Sequence, residues 1–208
     1  ITINYLNNEV YGIWMTISSM LFWISTFDIG LGNGMRNYLT KAISEKDLTL
    51  GRKYISTTLS LLSLIAITIG FLLLFPLFTI NFNKFFNTFA ISNVDLRNAL
   101  FVALAFTLLN FVTKNIGLIF VAMQKYAIND LLSVLGNLLS LAIIFILTKT
   151  TSPNLLYVIF TYTATQCFVY LFAAIPLFTK YKELRPSLNY FDRSLSRQIV
   201  GKGLGFFV

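Results

Sequence analysis

The 208-residue sequence contains no histidine, a single cysteine and few charged residues, and each shortage narrows the possible functions. Without histidine, the chain lacks the commonest metal ligand and the commonest general base. The one cysteine, Cys167, cannot form an internal disulfide. Charged residues make up only 12% of the sequence, about half of the roughly 25% that soluble domains carry. This shortage argues against a disordered chain, a nucleic-acid-binding arm and an ordinary cytosolic enzyme.

Long uncharged apolar segments fill most of the chain, of which 56% is hydrophobic. A bilayer core about 30 Å thick needs roughly 20 apolar helical residues to cross it. The segments therefore predict an all-α fold, a polytopic transmembrane helix bundle that forms a single domain. We expect five complete spans and one truncated span, at about 10–27 continuing toward residue 41, 54–78, 99–124, 131–148, 155–178 and from 199 onward.

The basic residues predict how the bundle is oriented. Twelve Lys and Arg residues lie in three alternate loops, and only three lie in the loops between them. Cytoplasmic loops are enriched in Lys and Arg, so we expect the turn at 7–9 on the outer side and three loops in the cytoplasm: 28–53, 124–129 and 179–202. The net charge of +8 then serves orientation and attraction to anionic headgroups, and no nucleic-acid partner is expected.

The two ends of the sequence predict a piece of a longer membrane protein. The chain starts at Ile1 without a methionine, and residues 203–208 open a helix that does not finish. No basic stretch precedes the first apolar run, so the sequence shows no signal peptide.

One charged residue, Lys114, interrupts the apolar stretch 99–124. A charge near the bilayer centre costs about 2.5–3.5 kcal/mol on insertion scales, so it needs a structural or functional reason. Thr107, Asn110 and Lys114 recur at helical spacing and form one polar stripe. Either Lys114 lines a hydrated cavity, or it is neutralised by burial or by a neighbouring carboxylate such as Asp130.

Two later spans carry similar stripes of polar side chains. One stripe comprises Asp130, Ser133, Asn137 and Ser140, and the other Tyr162, Gln166 and Tyr170. Such stripes either face a water-filled path or join helices through hydrogen bonds worth about 0.6 kcal/mol each. Both interpretations keep these side chains away from lipid.

The glycine-rich segment Phe27–Tyr38 is the densest local motif. It lacks the preceding strand of a dinucleotide fingerprint and the Gly-Lys-Ser/Thr of a Walker loop. We interpret Gly30 and Gly34 as a GxxxG pair that lets another helix approach closely. Arg36 then either points toward an anionic substrate or is solvated among headgroups, with Asn33 and Asn37 beside it at i, i+4.

The same region resembles the second helix of Wzx-type flippases, a group within the polysaccharide transporter family of the multidrug/oligosaccharidyl-lipid/polysaccharide exporter superfamily. Two stretches carry the resemblance: Tyr5-Leu-Asn-Asn-Glu-Val-Tyr-Gly-Ile-Trp14 and Phe27-Asp-Ile-Gly-Leu-Gly-Asn-Gly-Met-Arg-Asn37. The segment Arg52-Lys-Tyr-Ile-Ser-Thr57 looks like the start of that family's third helix.

The resemblance implies two pseudosymmetric lobes around a central cavity, of which this chain is the first lobe without its first helix. It also implies that undecaprenyl-pyrophosphate-linked oligosaccharide is moved across the bacterial inner membrane by alternating access, for O-antigen or other surface polysaccharide. Lys114 and Arg36 would hold the pyrophosphate, and Asp28 would be a structural partner or a protonation site. We place Asn110, Asn33, Asn37 and Gln166 on the substrate path as well.

The resemblance carries no catalytic residue, metal or cofactor. The expected partners are the lipid-linked oligosaccharide, membrane lipids and polysaccharide-assembly proteins, and the full-length protein is expected to be a monomer. Two alternatives remain. A cation-coupled drug exporter of the same superfamily would favour acidic residues inside the spans. A membrane-embedded polymerase or glycosyltransferase would need paired carboxylates in an outer loop, where Thr79–Asn98 offers only Lys84, Asp95 and Arg97.

Overall fold

The computed structural model describes residues 1–26 and 30–204, and within these residues the regular structure is helical, without strands. The all-α prediction is confirmed. The α-helices in chain order are α1 Thr2–Leu6, α2 Asn8–Thr26, α3 Leu31–Ser44, α4 Leu48–Thr79, α5 Phe82–Phe86, α6 Asn93–Thr113, α7 Asn115–Ala122, α8 Tyr126–Thr150, α9 Leu155–Lys180 and α10 Arg193–Leu204.

Four helical segments are long and apolar enough to cross a membrane: α4, α6 together with α7, α8 and α9. The sequence predicted five complete spans, and α2 is the one that falls outside this set of four. Its 19 residues include polar side chains at both ends and in the middle, which lower its mean hydropathy. The four segments nevertheless make the chain a helical transmembrane bundle.

The first predicted span does not continue as one helix toward residue 41. Helix α2 ends at Thr26, and α3 begins at Leu31 after Gly30, whose φ of 69° lies in the left-handed region. A left-handed residue cannot continue a right-handed helix, and glycine adopts that conformation without a steric cost. Asp28 lies outside the described residues.

Helices α6 and α9 pack along each other in the middle of the bundle. Helix α8 packs on α9, while α4 and α2 pack on α6. A cluster of buried apolar side chains joins α2, α6 and α9 near one end, and two further clusters join α3, α4, α7 and α10 near the other. The lipid-facing surfaces of α4 and α8 carry exposed Phe, Leu and Ile side chains.

The described loops gather at two opposite ends of the bundle. At one end the Tyr5 hydroxyl bonds to Thr151 and donates to the Ser152 carbonyl at 2.7 Å, and the Thr88 hydroxyl donates to the Glu9 carboxylate. This end therefore joins the loops that precede α2, α6 and α9.

The other end joins the loops that precede α4, α8 and α10. The Lys125 ammonium donates to the Tyr181 hydroxyl at 2.8 Å, and this hydrogen bond lowers the pKa of the Tyr181 phenol. Lys53 forms an ion pair with Asp192 at 3.4 Å. The hydroxyl and backbone N–H of Ser194 donate to the Asp192 carboxylate and lower its pKa.

Helix α10 begins at Arg193, six residues before the truncated span that we expected from 199. Its buried side chains Leu195 and Ile199 lie in a cluster with Leu31 and Tyr54, so α10 packs on α3 and α4. A polar N-terminal turn with an apolar face is typical of an amphipathic helix rather than of a membrane span.

A close helix approach lies at Gly32, between the two glycines of the predicted Gly30–Gly34 pair. A Cβ at Gly32 would collide with Asn115 Oδ1 and would lie 2.6 Å from Leu118 Cδ1, both on α7. Because Gly30 precedes α3, it cannot act as the first residue of a GxxxG pair on that helix. Gly32 thus sets the separation between α3 and α7.

We predict that Gly32→Ala destabilises the full-length protein by about 1–3 kcal/mol, the range for an overpacked contact. Gly12→Ala is the matched control, since a Cβ at Gly12 meets nothing within 4 Å. The measurement is the thermal unfolding midpoint in detergent. The assignment of the α3–α7 contact is wrong if the two alanine variants melt at the same temperature.

Candidate functional site

A polar cavity of about 230 Å³ lies among α2, α6, α8 and α9. All ten described residues that line it are uncharged, and most carry amide or hydroxyl groups: Ser18, Leu21, Phe22, Thr107, Asn110, Ser133, Asn137, Tyr162, Thr163 and Gln166. The three polar stripes of the sequence therefore supply most of its wall. Phe22 and Tyr162 are exposed, so the cavity opens on the surface of the bundle.

A hydrogen bond between two amides holds one wall of the cavity together. Gln166 Nε2 donates to Asn137 Oδ1 at 2.8 Å and ties α9 to α8. The Gln166 amide lies across Gly136, where a Cβ would come within 2.5 Å of Gln166 Oε1. The absence of a side chain at residue 136 therefore lets the two helices approach closely enough for this bond.

The opposite wall carries an amide oxygen without a partner. Asn110 Oδ1 is buried and accepts no hydrogen bond within the described part of the chain. A buried acceptor left unpaired costs about 1–3 kcal/mol, so this oxygen lowers the stability of the fold. Asn110 lines the cavity, but its amide oxygen is itself closed off from solvent.

The aromatic ring of Tyr162 is fixed beside these amides. The Trp14 ring packs edge-on against it, with 5.2 Å between the ring centroids. Trp14 itself is buried in the cluster that joins α2, α6 and α9. A rigid aromatic face next to amide groups is suited to a ligand with both apolar and hydroxyl-bearing surfaces.

Lys114 does not line this cavity, although it follows Asn110 by one helical turn. It occupies the short break between α6 and α7, is half-buried, and its Nζ lies 5.6 Å from the centroid of the Phe111 ring. Phe111 belongs to the apolar cluster on the α3–α4 side of α6. The predicted stripe therefore divides, with Thr107 and Asn110 at the cavity and Lys114 directed elsewhere.

Arg36, Asn33 and Asn37 lie together on α3, away from the cavity. The Arg36 guanidinium donates from Nε and Nη2 to Asn37 Oδ1, each at 3.3 Å, and all three side chains are half-buried. Asp28, the remaining predicted site residue, lies outside the described residues. The structure thus brings Asn110 and Gln166 to one site and places Arg36 and Lys114 at another part of the fold.

Asn115 is a polar residue whose role the sequence did not reveal. It is fully buried, and its Nδ2 donates to the carbonyls of Phe111 and Val112 at 3.0 and 3.3 Å. Its Oδ1 accepts no hydrogen bond among the residues with described side chains and lies against Gly32. The sequence signal for Asn115 is a second polar residue directly after Lys114 within an apolar stretch.

The cavity is suited to hydrogen bonding rather than to ion or metal chemistry. No group of three or more Cys, Asp or Glu side chains that could hold a metal occurs in the described ranges. Amides and hydroxyls both donate and accept, so this wall can exchange the hydrogen bonds of a hydroxyl-rich molecule for its own. It carries no charge that would bind a phosphate group.

We expect leucine substitutions at Asn110 and Asn137 to have opposite effects on the thermal stability of the protein. Asn110→Leu removes an unpaired buried oxygen, so we expect the full-length protein to unfold at a higher temperature. Asn137→Leu leaves Gln166 Nε2 without its acceptor, so we expect a loss of about 0.6 kcal/mol, the average for such bonds between membrane helices. Thermal unfolding in detergent measures both variants. A stability loss in Asn110→Leu would contradict the assignment of an unpaired oxygen.

One family model matches the whole chain, residues 1–208, and is described as polysaccharide biosynthesis protein. No curated protein and no solved structure matches the chain significantly. With its membrane-spanning helices and a match that covers every residue, the chain belongs to the polysaccharide biosynthesis protein family.

Proposed function

We propose that this chain forms part of a Wzx-type flippase, which moves undecaprenyl-pyrophosphate-linked oligosaccharide across the bacterial inner membrane by alternating access. The observation that carries the proposal is the cavity among α2, α6, α8 and α9, lined by amides, hydroxyls and an aromatic ring within a membrane bundle. Membership of a polysaccharide biosynthesis family supports a sugar-bearing substrate. The product is exported for O-antigen or another surface polysaccharide.

In this proposal the uncharged cavity binds the sugars, and the basic residues bind the pyrophosphate. Sugar hydroxyls exchange hydrogen bonds with Asn110, Asn137 and Gln166, whose amides both donate and accept. The pyrophosphate is held by Arg36 and Lys114, because only cationic groups can offset its charge away from water. Arg36 lies on α3 and Lys114 at the start of α7, and these two helices pack against each other.

The residues that line the cavity favour transport without catalysis. Acid–base chemistry on a glycosidic or phosphate bond needs carboxylates or other titratable groups at the reacting atoms. The described lining of the cavity holds amides, hydroxyls and apolar groups instead. A cation-coupled exporter would likewise need an acidic residue at the binding site. We therefore favour a flippase over both alternatives.

Complementation tests the sugar and phosphate roles separately. The full-length gene is expressed in a flippase-deficient strain at matched membrane levels, and surface polysaccharide is scored. We expect Lys114→Ala and Gln166→Leu each to abolish or strongly reduce export. Lys149→Ala and Gln198→Leu are the matched controls, since both residues are exposed and lie outside the cavity.

Export by both Lys114→Ala and Gln166→Leu at the level of their controls would contradict the proposed substrate path. Loss of export in Gln166→Leu alone would leave the sugar site in place and remove Lys114 from the phosphate site. An unmodified gene that cannot restore export with any substrate-matched strain would favour the exporter or the enzyme.

The orientation in the membrane makes a separate prediction. In a full-length background with Cys167 and any other native cysteine replaced by serine, single cysteines at Lys46 and Lys149 place thiols at opposite ends of the bundle. A membrane-impermeant maleimide added to intact spheroplasts should label Lys149→Cys and should label Lys46→Cys only after lysis. Labelling of Lys46→Cys in intact spheroplasts would reverse the proposed orientation.

A further inference from the structure

A second cavity, of about 320 Å³, lies on the outside of the bundle beside the last turns of α9. Its walls are Ala174, Ile175, Phe178 and Thr179, and Arg185 closes one end. The cavity is separate from the polar site, with which it shares no lining residue. We call it the α9 groove.

The walls of the α9 groove are suited to a hydrocarbon chain. Helix α9 is one of the four segments that can cross a membrane, and Ile175 on its surface is 60% exposed. At this depth the surrounding solvent is the acyl-chain region of the bilayer, so a groove between apolar side chains is filled by lipid rather than by water.

The chain that follows α9 fixes the position of Arg185. Its backbone carbonyl accepts a hydrogen bond from Arg52 Nε at 2.7 Å, and the Arg52 guanidinium lies 4.0 Å from the centroid of the Tyr190 ring. The preceding residue, Leu184, is only 1% exposed and packs against Gly51. The backbone of Arg185 is therefore anchored on α4 while its side chain reaches the groove.

The N–H groups of the Arg185 guanidinium are available to a ligand. No carboxylate lies within ion-pair distance of it among residues 1–26 and 30–204. The nearby Lys180 and Lys182 are exposed and add positive charge at the same end of the bundle. A guanidinium binds phosphate through two parallel hydrogen bonds, and basic residues at the bilayer surface attract anionic headgroups.

We propose that the α9 groove binds an anionic phospholipid, with the phosphate at Arg185 and one acyl chain along Ala174, Ile175 and Phe178. Charge and shape favour this occupant, since the groove is apolar along its length and cationic at its interfacial end. Arg52 is a positioning residue that holds the Arg185 backbone. The proposal concerns a different surface from the substrate path and does not depend on transport.

Native mass spectrometry of the delipidated full-length protein, titrated with phosphatidylglycerol or phosphatidylcholine, measures binding of the first lipid. We expect Arg185→Gln to weaken phosphatidylglycerol binding about fivefold, the effect of one interfacial basic residue. Its phosphatidylcholine binding should weaken less, because the choline cation offsets the charge of the same phosphate. Ala174→Phe fills the groove without changing charge and should weaken the binding of both lipids.

Arg193→Gln is the matched control, because Arg193 is exposed on the same end of the bundle and does not line the groove. The proposal is overturned if Arg185→Gln binds phosphatidylglycerol as tightly as the unmodified protein, or no more weakly than Arg193→Gln. It is also overturned if undecaprenyl phosphate displaces phosphatidylglycerol at a lower concentration than phosphatidylglycerol itself requires, because the occupant would then be a prenyl lipid.

Discussion

The bilayer offers no hydrogen bonds, so every polar side chain within the spans must find a partner in the bundle or a hydrated space. The bond between Asn137 and Gln166 is the clearest consequence of this constraint, because it joins α8 and α9 at 2.8 Å. On the opposite wall the Asn110 amide oxygen is buried and has no partner in the described chain. The cavity thus lies where amide side chains from three helices meet and some of their hydrogen-bonding groups lack partners.

The sequence predicted the helical class and several of the polar residues that line the cavity, because both follow from local patterns of hydropathy and helical spacing. The stripes containing Asn110, Asn137 and Gln166 do meet at one cavity. The sequence could not distinguish facing a cavity from pairing with a neighbour, and the structure shows that Asn137 and Gln166 do both.

Lys114 and Gly30 show where local patterns were insufficient. Helical spacing placed Lys114 on the face of Asn110, but the break between α6 and α7 at this residue interrupts the stripe. The GxxxG spacing placed Gly30 and Gly34 on one helix, whereas the left-handed φ of Gly30 places it before the first residue of α3. Both departures arise from backbone geometry that residue spacing alone does not encode.

The central claim is that the polar face of α8 borders a hydrated cavity while its neighbouring face contacts lipid. Ser133 and Val134 are consecutive residues of α8, so they lie at nearly the same depth in the membrane. Both are exposed, but of the two only Ser133 lines the cavity. In the full-length protein with Cys167 and any other native cysteine replaced by serine, single cysteines at these two positions are exposed to a water-soluble maleimide, which reacts only with a thiolate formed in water. The account predicts rapid reaction of Ser133→Cys and little reaction of Val134→Cys. Equal rates at the two positions would contradict it.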